Sequence, residues 1–200
     1  YEVVVVGGGP AGAYAALYAA RGGLRVCVFD RNERVGSPVR CGEAAGVSAI
    51  ESLVSMKPEW VSARISGVRM VSPSGIEVDI DNMSQGYVLR RDLMDPALVG
   101  LAVEAGVEFC PSTTIVSLAE QGDGYVCVDD SGGECRAQCV VVADGVESRL
   151  ARQLGWGTSL AMQDLSSCAF GKVSHESVLG DRIEMHYGAG VAEGGYAWVF

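Results

Sequence analysis

The chain has 200 residues, 48% of them hydrophobic and 20% charged, with a net charge of −10 from 25 acids against 15 bases. That composition supplies a core for a stable domain and excludes a disordered tail, a collagen and a coiled coil. The acidic balance repels phosphate backbones, so nucleic acid is not an expected partner.

No apolar run approaches the ~18 residues that a membrane-spanning helix needs. Tyr1 opens directly on a strand-like run, so no signal peptide is visible. Trp198-Val199-Phe200 stops in mid-strand by its pattern, and further chain is expected beyond it. The seven cysteines are an odd number in an apolar chain, which argues against a secreted disulfide framework and for a reducing cytoplasm. Cys135 and Cys139 have no second cysteine pair or nearby histidine to complete a zinc set, so no metal is expected.

Val3 to Val6 is a continuous β-branched run of the kind that forms a buried parallel strand. Gly7-Gly8-Gly9-Pro10-Ala11-Gly12 follows, then an alanine-rich helix over Pro10 to Arg21, stopped by Gly22-Gly23. A second strand runs from Arg25 to Phe29 and ends on Asp30. A right-handed crossover puts both strands in one parallel sheet. Residues 31 to 63 have weak periodicity. Short strands are predicted over Ile65 to Val71, Ile76 to Ile80 and Gly86 to Leu89. Asp95 reads as an N-cap and Pro96 as the first residue of a helix that Gly106 stops. Residues 107 to 142 alternate like a β-meander and end on Cys139 to Val142, and residues 166 to 200 read as strand again. His175 and His186 fall in these strand-like stretches and are assigned no role.

The pattern predicts an α/β fold, with a Rossmann-like nucleotide-binding domain interleaved with an antiparallel-sheet domain. The expected boundaries are 1–63 and 91–158 for the first, and 64–90 and 159–200 for the second. Residues 64–90 and 160–200 are expected to share one antiparallel sheet.

Three constellations carry chemistry. In the first, Gly7 permits a tight turn, Gly9 lets backbone approach a pyrophosphate, and Gly12 lets helix and strand pack closely. The helix start at Pro10 and Ala11 adds free N–H groups and a partial positive charge for a diphosphate. Asp30, 18 residues after Gly12, is placed to accept hydrogen bonds from ribose hydroxyls, with Arg31 beside it. This unit alone does not separate FAD from NAD.

The second constellation is Ala143-Asp144-Gly145 with Ser148 and Arg152 beyond. It resembles the Asp-Gly motif of the aromatic-hydroxylase-type flavoproteins. Arg91 and Asp95 resemble the Arg-x-x-Phe-Asp stretch of the same superfamily, with Met94 in place of Phe. The third constellation is Gly36-Ser37-Pro38-Val39-Arg40-Cys41-Gly42-Glu43, which resembles the Pro-x-x-Cys-Gly segment of geranylgeranyl reductase-like flavoproteins. Tyr196-Ala197-Trp198-Val199-Phe200 resembles the start of their Tyr-x-Trp-x-Phe-Pro signature.

The resemblance to that family covers essentially the whole chain. It implies FAD as cofactor, with Arg40, Cys41, Gly42, Arg91, Asp144 and Gly145 among its contacts. It also implies reduction of carbon–carbon double bonds in prenyl chains of lipids or prenyl diphosphates. Reduced FAD donates hydride to one alkene carbon, and a proton goes to the other. Cys41, flanked by glycine and Arg40, reads either as a proton donor or as a small residue packed against the flavin ring. Tyr196 and Trp198 recur at period two, so they share one strand face and suit the wall of a lipid tunnel, or an ordinary sheet core. The implied partners are an isoprenoid substrate and an electron donor of NAD(P)H or ferredoxin type, with peripheral membrane contact. The remaining alternatives are an FAD-dependent aromatic-type monooxygenase and a non-catalytic flavin- or lipid-binding protein.

Overall fold

The computed structural model describes residues 1–81, 85–157, 160–174 and 179–200. His175 and the expected boundary at 158/159 lie outside the described residues. In chain order the elements begin β1 (Val3–Val6), α1 (Pro10–Arg21), β2 (Val26–Phe29), β3 (Ala44–Gly46) and α2 (Val47–Glu51). Then come β4 (Val61–Ile65), β5 (Gly67–Val71), β6 (Glu77–Ile80), β7 (Gly86–Leu89) and α3 (Arg91–Glu104). They continue as β8 (Glu108–Cys110), β9 (Ile115–Gln121), β10 (Gly124–Asp129), β11 (Glu134–Ala137) and β12 (Cys139–Val142). The last are α4 (Arg149–Gln153), β13 (Arg182–Tyr187) and β14 (Tyr196–Val199). The chain divides into two units, Tyr1–Arg40 with Asp92–Cys168, and Cys41–Arg91 with Ala169–Phe200.

The first unit is built on a parallel sheet of order β12-β1-β2-β8. All four valines of β1 are buried. Successive side chains point to opposite faces. Val3 and Val5 pack with Ala16 and Leu17 of α1 and Ala102 of α3. Val4 and Val6 pack on the other side with Ile115, Leu118 and Cys127 of the antiparallel meander β11-β10-β9, and with Leu150 of α4. Each fully buried valine contributes about 1.5–3 kcal/mol of hydrophobic stabilisation. The result is helices, parallel sheet and meander in three layers. This explains why an uninterrupted apolar run, buried on both faces, was required at β1.

α1 has the predicted bounds. Pro10 occupies its first turn, where a missing N–H costs nothing. Gly23 closes it at φ +86°, and its N–H returns to Ala20 O at 2.9 Å. α3 differs from expectation. It starts at Arg91, so Asp95 is an interior residue, 4% exposed, and Pro96 lies inside the helix. The proline lacks the N–H that would bond the Asp92 carbonyl four residues back. Arg34 Nη2 donates to that carbonyl instead, at 3.3 Å.

The second unit holds two sheets where one antiparallel sheet was expected. β3-β7-β4 is antiparallel, whereas β14-β13-β5-β6 is mixed because β13 runs parallel to β5. Residues 41–63, expected in the nucleotide-binding part, belong to this unit because β3 and β4 flank β7. Residues after 158 up to Cys168 group with the first unit.

Register gives the mixed sheet two unlike faces. Ile80 pairs with Val68, Val68 with Ile183, Met70 with Met185, Met185 with Trp198, and Tyr187 with Tyr196. Paired residues share a face, so one face is apolar from edge to edge. The opposite face carries Arg69, Asp79, Arg182 and Glu184. Arg69 grips Asp79 through Nε and Nη2 at 2.8 and 2.9 Å, and Arg182 reaches Asp79 at 3.2 Å and Asp81 at 3.3 Å.

Candidate functional site

The predicted site residues fall into two groups, one in each unit. In the first unit the C-terminal ends of β1, β2 and β12 meet at the glycine turn. Gly7 has φ +102°, and a Cβ there would run into the Ala143 carbonyl. A Cβ on Gly12 would run into the Gly7 carbonyl oxygen and approach Val5 Cγ1 at 3.1 Å. A Cβ on Gly9 would meet nothing within 4 Å. Two of the glycines are therefore demanded by packing of the chain on itself, and Gly9 is not. Gly9 is the N-cap of α1 and has no side-chain hydrogen bond to the first turn. The open backbone of the Gly9, Pro10 and Ala11 region presents the positive end of α1 to solvent.

Asp30 follows β2, and most of its carboxylate is engaged within the protein. It is 8% exposed. Its Oδ2 accepts the Gly8 N–H at 2.7 Å, and its Oδ1 accepts the Asn32 N–H at 2.8 Å and Asn32 Nδ2 at 2.9 Å. A carboxylate offers about four lone-pair sites, so about one remains for a ligand. Asp30 thus braces the glycine turn from behind. Gly8 and Asn32 were absent from the predicted set. The signal for Asn32 was its place two residues after an aspartate at a strand end, where such side chains bond locally.

Asp144 follows β12. Its Oδ2 accepts the Leu150 N–H of α4 at 3.2 Å, while its buried Oδ1 has no hydrogen-bond partner among the described residues. An orphaned buried carboxylate oxygen calls for a donor. Gly145 beside it is exposed, with φ +81°. Arg31 pairs with Glu147 at 3.4 Å in an exposed contact, and Arg40 is exposed at the end of the first unit. Cys27 and Cys127 sit in the core. Burial pushes the Cys27 thiol well above its ordinary value, helped by Cys110 at 3.7 Å, and pushes Cys127 up to about 11. Both are packing residues, not nucleophiles.

In the second unit Gly42 lies against Trp198, with the indole 3.4 Å from where a Cβ would stand. Trp198 and Tyr196 have ring centroids 6.0 Å apart, and Tyr196 is 47% exposed. The period-two reading therefore holds, and both rings belong to the apolar sheet face. That face also floors a cavity of about 280 Å³, where Val68 and Ile183 meet Ala45, Gly46, Gly67 and Gly86. Cys41 is half-buried, and its Sγ accepts the Glu43 N–H at 3.3 Å. Arg91 is half-buried at the start of α3, and its N–H donates to Glu43 Oε1 at 2.9 Å. His186 contacts Glu184 at 3.4 Å on the charged face. Among the described residues no His, Cys, Asp or Glu cluster has metal-binding geometry, and no helix is long and apolar enough to cross a membrane.

A strand–glycine turn–helix unit that leaves Gly9 uncovered, with an Asp144 oxygen awaiting a donor at the end of the neighbouring strand, defines a dinucleotide-binding domain. The chain belongs to the FAD binding domain family, whose profile matches residues 1–179, and FAD is its cofactor. Among proteins it is similar to are the digeranylgeranylglycerophospholipid reductases of Methanocella arvoryzae and Methanothermobacter thermautotrophicus. Both are 36% identical to it, over 100% and 98% of this chain respectively. The chain spans about half the length of these curated relatives, 53% and 52%. A geranylgeranyl bacteriochlorophyll reductase-like protein from Thermoplasma acidophilum superposes with a TM-score of 0.83 at 27% identity, over all of this chain and 53% of the other. The FAD complex of the halogenase PltM superposes with a TM-score of 0.64 at 20% identity, over 78% of this chain and 36% of the halogenase, a likeness of fold alone.

Proposed function

We propose that the full-length protein is an FAD-dependent reductase of carbon–carbon double bonds in the prenyl chains of lipids or prenyl diphosphates. The carrying observation is the one-sided sheet of the second unit. An apolar face that ends on Tyr196 and Trp198 continues into the cavity over Val68 and Ile183. A wall of branched, thioether and aromatic side chains suits a long hydrocarbon and offers little to a polar aromatic substrate. The names of the reductases it resembles supply the substrate class, an isoprenoid lipid.

In this reading Gly7, Gly9, Pro10, Ala11 and Gly12 hold the diphosphate against the start of α1. Asp30 keeps that turn in shape and offers its remaining lone pair to the ribose. Asp144 and Gly145 take a further cofactor group through the unpartnered Oδ1 and the exposed backbone. Arg31, Arg40, Gly42 and Arg91 are assigned to the cofactor on the resemblance. Bound FAD, once reduced, supplies the hydride. Trp198 and Tyr196 align the chain and exclude water. Cys41, beside Gly42 where Trp198 packs, is the candidate proton donor. A donor of NAD(P)H or ferredoxin type replenishes the electrons, and the substrate brings the protein to a membrane surface.

The test is a full-length, flavin-loaded protein, reduced and kept free of oxygen, then given a geranylgeranyl lipid. The product should carry two added hydrogens per reduced double bond. A protein that turns over only with O₂ and an aromatic substrate would instead be a monooxygenase.

A further inference from the structure

Glu43 is 6% exposed, and its backbone has φ +63°, which a residue with a side chain rarely adopts. It is fastened on every side. Its Oε1 accepts the Arg91 N–H at 2.9 Å, and its Oε2 pairs with Lys172 at 3.2 Å. Its carbonyl accepts the Leu89 N–H at 2.7 Å, and its own N–H points at Cys41 Sγ at 3.3 Å. A carboxylate held in a left-handed backbone within a protein interior is costly and persists where the surroundings over-determine it. The surroundings here are two motif segments. One is Cys41-Gly42 and the other is the turn from β7 into α3 at Leu89 to Arg91. Glu43 is what joins them.

We propose that Glu43 is a positioning residue for Cys41. Its carboxylate anchors the segment to the first amide of α3, and the anchored left-handed backbone aims the Glu43 N–H at the thiol. The Sγ is thereby held in one orientation instead of sampling several rotamers. This inference rests on the reading that the Cys41-Gly42 segment belongs to the functional site. The clasp itself is a matter of thiol geometry and is testable without turnover.

The experiment uses the full-length, flavin-loaded protein and follows alkylation of Cys41 by iodoacetamide, read on the Cys41 peptide by mass spectrometry. Glu43→Ala should change the rate about threefold or more, since thiol reactivity follows its surroundings and access. Glu43→Gln keeps an acceptor for the Arg91 N–H and should stay near wild type. Glu43→Gly keeps the left-handed backbone without strain and lacks the carboxylate, so it decides the matter if Glu43→Ala does not fold. In prenyl reduction the same carboxylate-free variants should lower kcat roughly tenfold or more with KM unchanged, because a small misplacement of a reacting group is expensive. Rates at wild-type level in Glu43→Ala and Glu43→Gly would overturn the proposal. So would a Glu43→Gln protein no better than Glu43→Ala. A wild type without prenyl turnover would count against the reductase reading alone, because the alkylation series still decides the clasp.

Discussion

The amide of Gly8 donates to the buried carboxylate of Asp30 across 2.7 Å and, with the Gly7 N–H to the Phe29 carbonyl at 2.8 Å, ties the glycine turn after β1 to the end of β2. The consequence is that Asp30 shapes the turn before it touches any ligand. Hydrogen bonds to a charged group contribute about 1.5–3 kcal/mol each. Asp30→Ala should therefore lower the melting temperature of the flavin-free protein as well as weaken FAD binding roughly tenfold or more. A variant with unchanged thermal stability and weaker FAD binding would show that Asp30 serves the ribose alone. Calorimetry with and without FAD separates the two.

Gly12 and Gly9 should part company on substitution. Gly12→Ala forces a side chain into the Gly7 carbonyl oxygen and should prevent the turn from forming. Gly9→Leu has open space around it and a backbone that any residue adopts, at φ −61° and ψ 178°. It should leave stability of the flavin-free protein within about 0.5 kcal/mol, as surface changes do. Flavin affinity should fall tenfold or more, because the side chain stands where the diphosphate approaches. Chemical denaturation and flavin release by heat report the two quantities.

Cys41→Ser nearly keeps the volume of the thiol and removes the candidate proton donor. Single-turnover oxidation of reduced protein by a prenyl substrate should slow by ~10²-fold, the usual scale for general acid catalysis. Reduction of the flavin by dithionite should be unaffected. A near-normal oxidation rate would leave Cys41 a packing residue.

The sheet of the second unit should be sensitive to acid. Hydrogen bonding from Arg69, assisted by Arg182, holds the Asp79 carboxyl down at about 2 from its ordinary 3.8. A carboxyl whose value is depressed by folding stabilises the fold above its unfolded value, and that contribution is lost as pH falls through the folded one. Stability should therefore drop between about pH 4 and pH 2. The Asp79→Asn profile should be flatter across that window. Parallel profiles would show that the ion network carries no weight there.

Where chain punctuation is local, the sequence was sufficient. Pro10 and Gly22-Gly23 bound α1 as predicted, and the valine run of β1 announced burial on both faces. Long-range partners were not legible. β13 pairs with β5 more than a hundred residues away, and nothing in either segment specifies a parallel register. Asp95-Pro96 looked like a helix start, yet α3 begins at Arg91 and not at Pro96, because the Arg91 amide finds Glu43. The turn formed by the glycines, the place of Asp144 after β12 and the shared face of Tyr196 and Trp198 were readable by spacing or resemblance. Glu43 was not, since an acid beside a Cys-Gly pair gives no sign of its burial or its left-handed backbone.

A reduced flavin in this protein should pass its electrons to a prenyl double bond. The direct measurement is anaerobic mixing of the full-length protein, its FAD reduced by dithionite and excess reductant removed, with a geranylgeranyl glycerophospholipid in detergent. The flavin absorbance of the oxidised form should return, and the lipid should gain two hydrogens per reduced double bond. A flavin that stays reduced until air is admitted, with the lipid mass unchanged, would rule out that transfer.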